Sequence, residues 1–243
     1  MGNTKRLRII AGPNGSGKST LVEQLKQRDD IHLGDVLNAD VLLVALKNQS
    51  VYQTDSTFDF QSLLSFVKSS TYTPAVKNHF FDHSIYMKEN GLYFSPQTIT
   101  PEIIAVFTEY LKEHFLAQEC SFSFETVFSH PSKIDFIRRA FENGYRTYLY
   151  FVATEDPNIN IERVTNRVKQ GGHDVPVEKI CSRYNSALNN IVPTIPYLSR
   201  GYFFDNSTQD MQFCLEYDAN EPKIIKQHVD NLPFWLRNIF QPE

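Results

Sequence analysis

Short apolar runs punctuate the chain at Leu7–Ala11, Val36–Asn38, Ser121–Phe124, Thr147–Ala153 and Tyr202–Phe204, each followed by polar or helix-starting residues. Brief runs without strict alternation suit strands covered on both faces. Their alternation with helical stretches predicts an α/β fold around a central parallel sheet. The run Thr147–Ala153, TYLYFVA, is apolar on both faces and reads as a central strand. After the first run, Leu21, Val22 and Leu25 recur at helical spacing. From Asp156 to Gly172 the pattern is a helix with an Asp cap, Pro157 in its first turn and glycines at its end. Ile161, Val164 and Val168 mark its packing face, while Arg163 and Arg167, four apart, share another. A glycine turn then leads to a second helix starting near Val177, with Ile180, Tyr184, Leu188 and Ile191 as its stripe and Arg183 off it. Gln212–Tyr217 reads as a further strand. Leu232, Phe234, Trp235 and Ile239 read as a helical tail packed on the body. Between residues 48 and 100 the pattern dissolves into Gln, Ser, Thr, Tyr and Asn with scattered aromatics, and this is read as an insertion after the second strand. The expected organisation is one domain over 1–243, with that insertion and a helical lid at 155–191.

Composition narrows the partners. A chain of 243 residues, 41% hydrophobic, can bury a full core. A net charge of −4 with a pI near 6.0 gives no global attraction to nucleic acid or anionic membrane, so neither is expected as a partner. Cys120, Cys181 and Cys214 are odd in number and in no metal-binding pattern, which suits reduced core thiols in a cytoplasmic protein. No apolar run approaches the roughly 20 residues of a membrane span, and the start MGNTKRLR lacks a signal-peptide core.

The chemistry concentrates in Ala11–Thr20, AGPNGSGKST, which fits the phosphate-cradling pattern G-x-x-x-x-G-K-[ST]. A strand before it and a helix after it supply the required context, because loop amides and a helix N-terminus must aim at the same phosphates. Gly12, Gly15 and Gly17 let the backbone wrap a phosphate chain through Pro13, Asn14 and Ser16. Lys18 can neutralise the β- and γ-phosphates, the Ser19 hydroxyl can coordinate Mg²⁺, and Thr20 caps or packs. ATP and Mg²⁺ are therefore the expected cofactors. Two carboxylates follow strands: Asp40 after the second and Glu125 after the third, the strand ends where open α/β sheets gather ligands. Asp40 has a second reading as the cap of a helix over Val41–Leu46; no apolar stripe begins after Glu125. Asp205-Asn206-Ser207, at the last strand end, is placed to line the nucleotide site. The lid arginines can deliver positive charge to a transferring phosphoryl group. In the insertion, His79 and His83 stand four apart and would share a helix face, but the glutamate that follows the first histidine in a zinc hydrolase is missing. Ordinary histidines or substrate contacts are the better reading. His83 and Tyr93 are candidate acceptor contacts in a segment whose composition suits a sugar-like ligand.

In order, GPNGSGKST, NAD, SFET, RVxxRVxxGGHxVP, RY and FDNS resemble the zeta-toxin-like P-loop kinases, whose better-characterised members phosphorylate UDP-N-acetylglucosamine and related nucleotide sugars. The match covers residues 6–46 and about 120–207. The resemblance implies a P-loop NTPase fold, a kinase-like three-layer sandwich. It makes Lys18 and Ser19 the nucleotide and Mg²⁺ contacts, Asp40 the general base, Glu125 with Thr126 a metal-water or substrate contact, and Arg163, Arg167 and Arg183 a phosphate clamp. It also implies a neutralising protein partner. The chain departs from the pattern at Val127, where many relatives carry a hydroxyl residue. The leading expectation is a Mg-ATP-dependent kinase acting on a hydroxyl of a small polar metabolite. The alternatives are a nucleotide-binding regulator or toxin component without transfer, and a polynucleotide- or protein-directed kinase. A GTPase switch would need an N-K-x-D motif and an ABC-type motor an L-S-G-G-Q motif; both are absent.

Overall fold

The computed structural model describes residues 4–172, 174–219 and 221–240, without the side chains of 221–225. In chain order the elements are β1 (Arg6–Ala11), α1 (Lys18–Lys26), β2 (Asp35–Leu37), α2 (Ala39–Gln49), β3 (Val51–Gln53), α3 (Phe60–Ser69), α4 (Pro74–Phe81), β4 (Ile85–Lys88), β5 (Gly91–Phe94), α5 (Pro101–Ala117), β6 (Phe122–Thr126), α6 (Ser132–Glu142), β7 (Arg146–Ala153), α7 (Pro157–Lys169), α8 (Val177–Asn189), α9 (Ile191–Thr194), β8 (Arg200–Asp205), β9 (Gln212–Asp218), β10 (Glu221–Gln227) and α10 (Phe234–Phe240). They divide into two compact units, Met1–Val36 with Ser121–Glu243, and Leu37–Cys120.

The first unit is built on a seven-stranded sheet in the order β10-β9-β8-β7-β1-β6-β2. The run read as a central strand, β7, is indeed fourth of seven, flanked in parallel by β1 and β8. The sheet is mostly parallel. β9 and β10 add antiparallel strands at one edge, and β10 carried no signal in the sequence pattern. Helices cover both faces, as strands apolar on both sides require. On one face α1 lays Leu21, Val22 and Leu25 over Ile10, Tyr150 and Val152. On the other, Phe136 of α6 packs edge-on to Phe124, while Trp235 and Phe240 of the tail meet Phe151 and Phe203. In the tail Leu232, Trp235 and Leu236 are buried, but Phe234, expected to pack, is 60% exposed.

The two predicted lid helices are present. Asp156 caps α7 by accepting from Asn158 N at 2.8 Å, and Val164, Val175 and Ile180 join α7 to α8 with Ile161 and Val168 around them. His173, in the glycine turn of the motif, lies outside the described residues.

The second unit holds α2 through α5 and a small antiparallel sheet, β3-β5-β4. Sequence pattern read 48–100 as irregular; it contains short, individually capped helices. Asp59 caps α3 and Thr73 caps α4, each through its own side-chain oxygen. Around α5, Phe107 and Tyr110 sit in an aromatic cluster with Tyr52 and Phe58, and burial pushes the Tyr110 phenol up to about 12. The two spaced histidines do not share a helix face. α4 ends at Phe81, and His83 lies beyond it at φ +64°. Of the cysteines, Cys214 is buried as expected, whereas Cys120 is exposed and Cys181 half-buried.

Candidate nucleotide site

The glycine loop leaves the end of β1 and returns into α1, whose first residue is Lys18. Its path depends on missing side chains. A Cβ on Gly12 would lie 2.0 Å from the Val152 carbonyl oxygen of the neighbouring strand, and one on Gly15 would lie 2.7 Å from the Asn160 carbonyl oxygen. Both residues also hold positive φ, +151° and +74°, where L-residues are strained. The result is a cradle of close-packed backbone at the N-terminus of a nine-residue helix, where amide groups and the helix dipole favour anions. Ser16 Oγ, fully buried in that loop, has no hydrogen-bond partner. A cradle that side chains would fill, holding an orphaned donor, fits the phosphates of a nucleotide.

Lys18 is buried, and its Nζ donates to the Pro13 carbonyl at 2.8 Å. Ser19 Oγ lies 3.3 Å from Glu125 Oε1 and 3.4 Å from Oε2. Register brings them together: Ile10 and Ala11 of β1 pair with Glu125 and Thr126 of β6, so the carboxylate ends beside the loop. Hydroxyl and carboxylate are oxygen donors of the sort Mg²⁺ takes alongside phosphate oxygens and water. Among the described residues no group of three His, Cys, Asp or Glu side chains is gathered to hold a metal. Thr126, a sequence candidate for substrate contact, accepts from Phe128 N at 3.1 Å and fixes the turn after β6. Thr20 is exposed on α1 rather than capping it; Gly17 occupies the cap position.

The α7–α8 pair reaches the loop through two side chains. Asn160, fully buried in α7, donates to the Asn14 carbonyl at 2.6 Å and accepts from Thr154 Oγ1. Arg183 of α8 approaches Asn14 Oδ1 at 3.5 Å. Arg163 turns instead to the Thr208 carbonyl at 3.3 Å, leaving its Nη1 buried without a partner. Arg167 shapes the helix end: its carbonyl accepts from Gly172 N at 2.9 Å. Of the three arginines expected to clamp phosphate, Arg183 approaches the loop at Asn14, whereas Arg163 bonds the Thr208 carbonyl.

The strand-end segment Asp205-Asn206-Ser207 meets the loop as anticipated. Asn206 Nδ2 donates to the Ser16 carbonyl at 2.8 Å. Asp205 is held in turn by Trp235 Nε1 at 2.9 Å and by Ser207 Oγ at 3.0 Å. Asn160 was not legible as a site residue. A lone Asn in a helix announces nothing until the loop is folded against it.

Asp40, His83 and Tyr93 belong to the 37–120 unit. The cap of α2 is Asn38, whose Oδ1 accepts from Asp40 N at 2.8 Å and Val41 N at 3.2 Å. This overturns the capping alternative for Asp40, which is an exposed carboxylate in the first turn. His83 is exposed, and Tyr93 stacks on Tyr86 with ring centroids 5.5 Å apart.

The zeta toxin family model matches residues 95–194. An uncharacterised protein of Haemophilus influenzae is 33% identical over 72 residues, 29% of this chain and 51% of that protein, so the match spans about half of the relative's length. Among solved structures, a chain of the PezAT chromosomal toxin-antitoxin system of Streptococcus pneumoniae aligns with a TM-score of 0.54 at 13% identity, over 100% of this chain and 80% of that one. A chain of the AvrRxo1-ORF1:-ORF2 structure with ATP aligns with a TM-score of 0.55 at 16% identity, over 92% of this chain and 61% of that one. At such identities the structural likeness speaks for the fold. Residues 95–194 thus resemble the zeta toxin family, and the fold has the P-loop kinase-like architecture that the motifs implied.

Proposed function

We propose that this zeta-toxin-like chain is a Mg-ATP-dependent kinase that transfers the γ-phosphoryl group to a hydroxyl of a small polar metabolite, nucleotide sugars being the first candidates. The observation that carries the reading is the convergence on one glycine loop of a lysine, a hydroxyl–carboxylate pair and two lid side chains. Lys18 exchanges its bond to the Pro13 carbonyl for phosphate oxygens, a charge-assisted and stronger contact. Ser19 offers its hydroxyl to Mg²⁺, and Glu125 orients that hydroxyl. Bound Mg²⁺ would neutralise phosphate charge and polarise the bond to be broken. Arg163, Arg167 and Arg183 are assigned as the cations whose value is greatest when charge moves onto the transferring group. Asp40, not needed as a cap, is assigned the acceptor's proton, and His83 and Tyr93 are assigned to the acceptor itself.

A second reading is a toxin component or regulator controlled by a neutralising protein, without small-molecule transfer. It is favoured by the toxin-antitoxin system named for one structural neighbour. ADP release, measured with and without a broad metabolite panel and with Lys18→Ala as the blank, separates the two. Acceptor-stimulated release that the blank lacks supports the kinase; tight ATP binding with no stimulation by any acceptor supports the regulator.

A further inference from the structure

Away from the glycine loop, the first unit contains a cavity of about 550 Å³. It opens over the starts of the parallel strands, at Arg6, Arg146 and Arg200, and runs along the sheet as far as Tyr150 and Phe204, whereas the P-loop follows the C-terminal end of β1. At about 3.3 Å per residue, Arg8 and Gly12 are some 13 Å apart along β1. The cavity arises because α1 ends at Lys26, leaving the sheet face beyond it without a covering helix. Strand register sets side chains on that face in rows: Arg8 beside Tyr148 and Arg200, then Tyr150 beside Tyr202 and Glu216. Arg6 and Arg146 form the outer row, and Arg28 closes the side.

The charge there is one-sided. Five arginines line the cavity against Asp30 and Glu216. Arg28 is neutralised by Asp30 at 2.8 Å, and Arg200 by Glu216 at 2.9 Å and Asp218 at 3.2 Å. Arg8 is different: it is 7% exposed, and its guanidinium stands 5.4 Å from the Tyr148 ring centroid and is hydrogen-bonded to the neutral Tyr150 hydroxyl. Among the described residues no carboxylate pairs with it, and its Nε and Nη1 have no hydrogen-bond partner. A buried, under-bonded guanidinium is costly unless an anion completes it. Beside it Tyr202, half-buried, stacks on the buried Tyr150 with centroids 4.8 Å apart, and half-buried Tyr148 lines the same cavity.

We propose that this cavity is a second ligand site, separate from the P-loop, for a phosphate-bearing aromatic molecule of the mononucleotide class. Arg8 and Arg146 take the phosphate, since a guanidinium fork matches phosphate oxygens. Half-buried Tyr202, held on one face by Tyr150, takes the base by stacking. The volume falls in the range of about 300–1,000 Å³ usual for small-molecule sites. With the chain's net charge of −4, a compact anion is favoured over a long nucleic-acid strand.

The test is calorimetric titration of the Lys18→Ala protein, in which the P-loop is disabled, with UMP and AMP, with uridine, with inorganic phosphate and with a single-stranded octanucleotide. One monophosphate per chain is expected to bind, at least about 10-fold tighter than uridine or phosphate. Adding Arg8→Gln should weaken it about 10-fold or more. Because Arg8 is buried, exposed Arg146→Gln is the companion variant, with thermal melting as the check on folding, and it should weaken binding in the same direction. The proposal is overturned if no monophosphate binds Lys18→Ala. It is equally overturned if folded Arg8→Gln and Arg146→Gln bind like their parent, if phosphate alone binds as well as the nucleotide, or if the octanucleotide binds more tightly than the monophosphate.

Discussion

At the scale of single residues, Lys18 and Asp40 divide binding from chemistry. Lys18 is the buried cation of the cradle, so Lys18→Ala should weaken Mg-ATP binding by roughly 10-fold or more and abolish turnover. Calorimetry and ADP release read the two effects separately, and unchanged affinity with normal turnover would remove the P-loop assignment. Asp40 poses the opposite case. With Asn38 as the cap, Asp40→Asn removes a charge without removing a cap contact. Melting temperature and ATP affinity should stay nearly constant while acceptor-dependent transfer falls by roughly 10²–10⁴. Full activity in a folded Asp40→Asn protein would dismiss it as the base. Cys214 gives a pH-linked prediction at the same scale. Burial pushes its thiol up to about 11, so at pH 8 it is almost wholly the unreactive thiol, while Cys120 is exposed. Mass spectrometry after brief alkylation should find Cys120 modified well before Cys214.

Among the elements, α7 and α10 act as supports for the glycine loop. Asn160→Leu leaves the Asn14 carbonyl without its partner and the Thr154 hydroxyl with the Asp156 carbonyl alone, which should cost about 1–3 kcal/mol and lower ATP affinity with it. Denaturant unfolding paired with nucleotide titration would check both, and a stability loss with intact ATP affinity would reduce Asn160 to a packing residue. α10 acts at one remove, since Trp235 bonds Asp205, whose neighbour Asn206 holds the loop. The elements also show what the sequence could reveal. The loop, both lid helices and six of the seven strands of the main sheet were readable because each is signalled by consecutive residues: an apolar run, a cap or a glycine. α5 was not, because burial of Ile103, Ile104, Val106, Phe107, Tyr110, Leu111, Phe115 and Leu116 covers too much of its circumference to leave a narrow stripe. Asn160 and the Arg8 row were hidden for another reason. Their neighbours come from strands and helices distant in sequence, so their meaning exists only in the register.

For the molecule as a whole, the sheet order imposes a sequence of events on folding. β1 is made first, yet its neighbours are β6 and β7, and Arg6 N finds Ser121 Oγ only across 115 residues of chain. Leu7, Ile9 and Ile10 therefore leave the ribosome long before anything can pair with them, and closing so long a loop is slow. The Leu37–Cys120 unit has no such handicap. Its hairpin β4–β5 and its helices contact one another within a contiguous stretch. Pulse-labelled hydrogen exchange should find amides of β4 and β5 protected before those of β1. An early-synthesised apolar strand that must wait for a late partner is the natural client of a chaperone, and nascent chains halted near residue 110 should hold that strand open to capture.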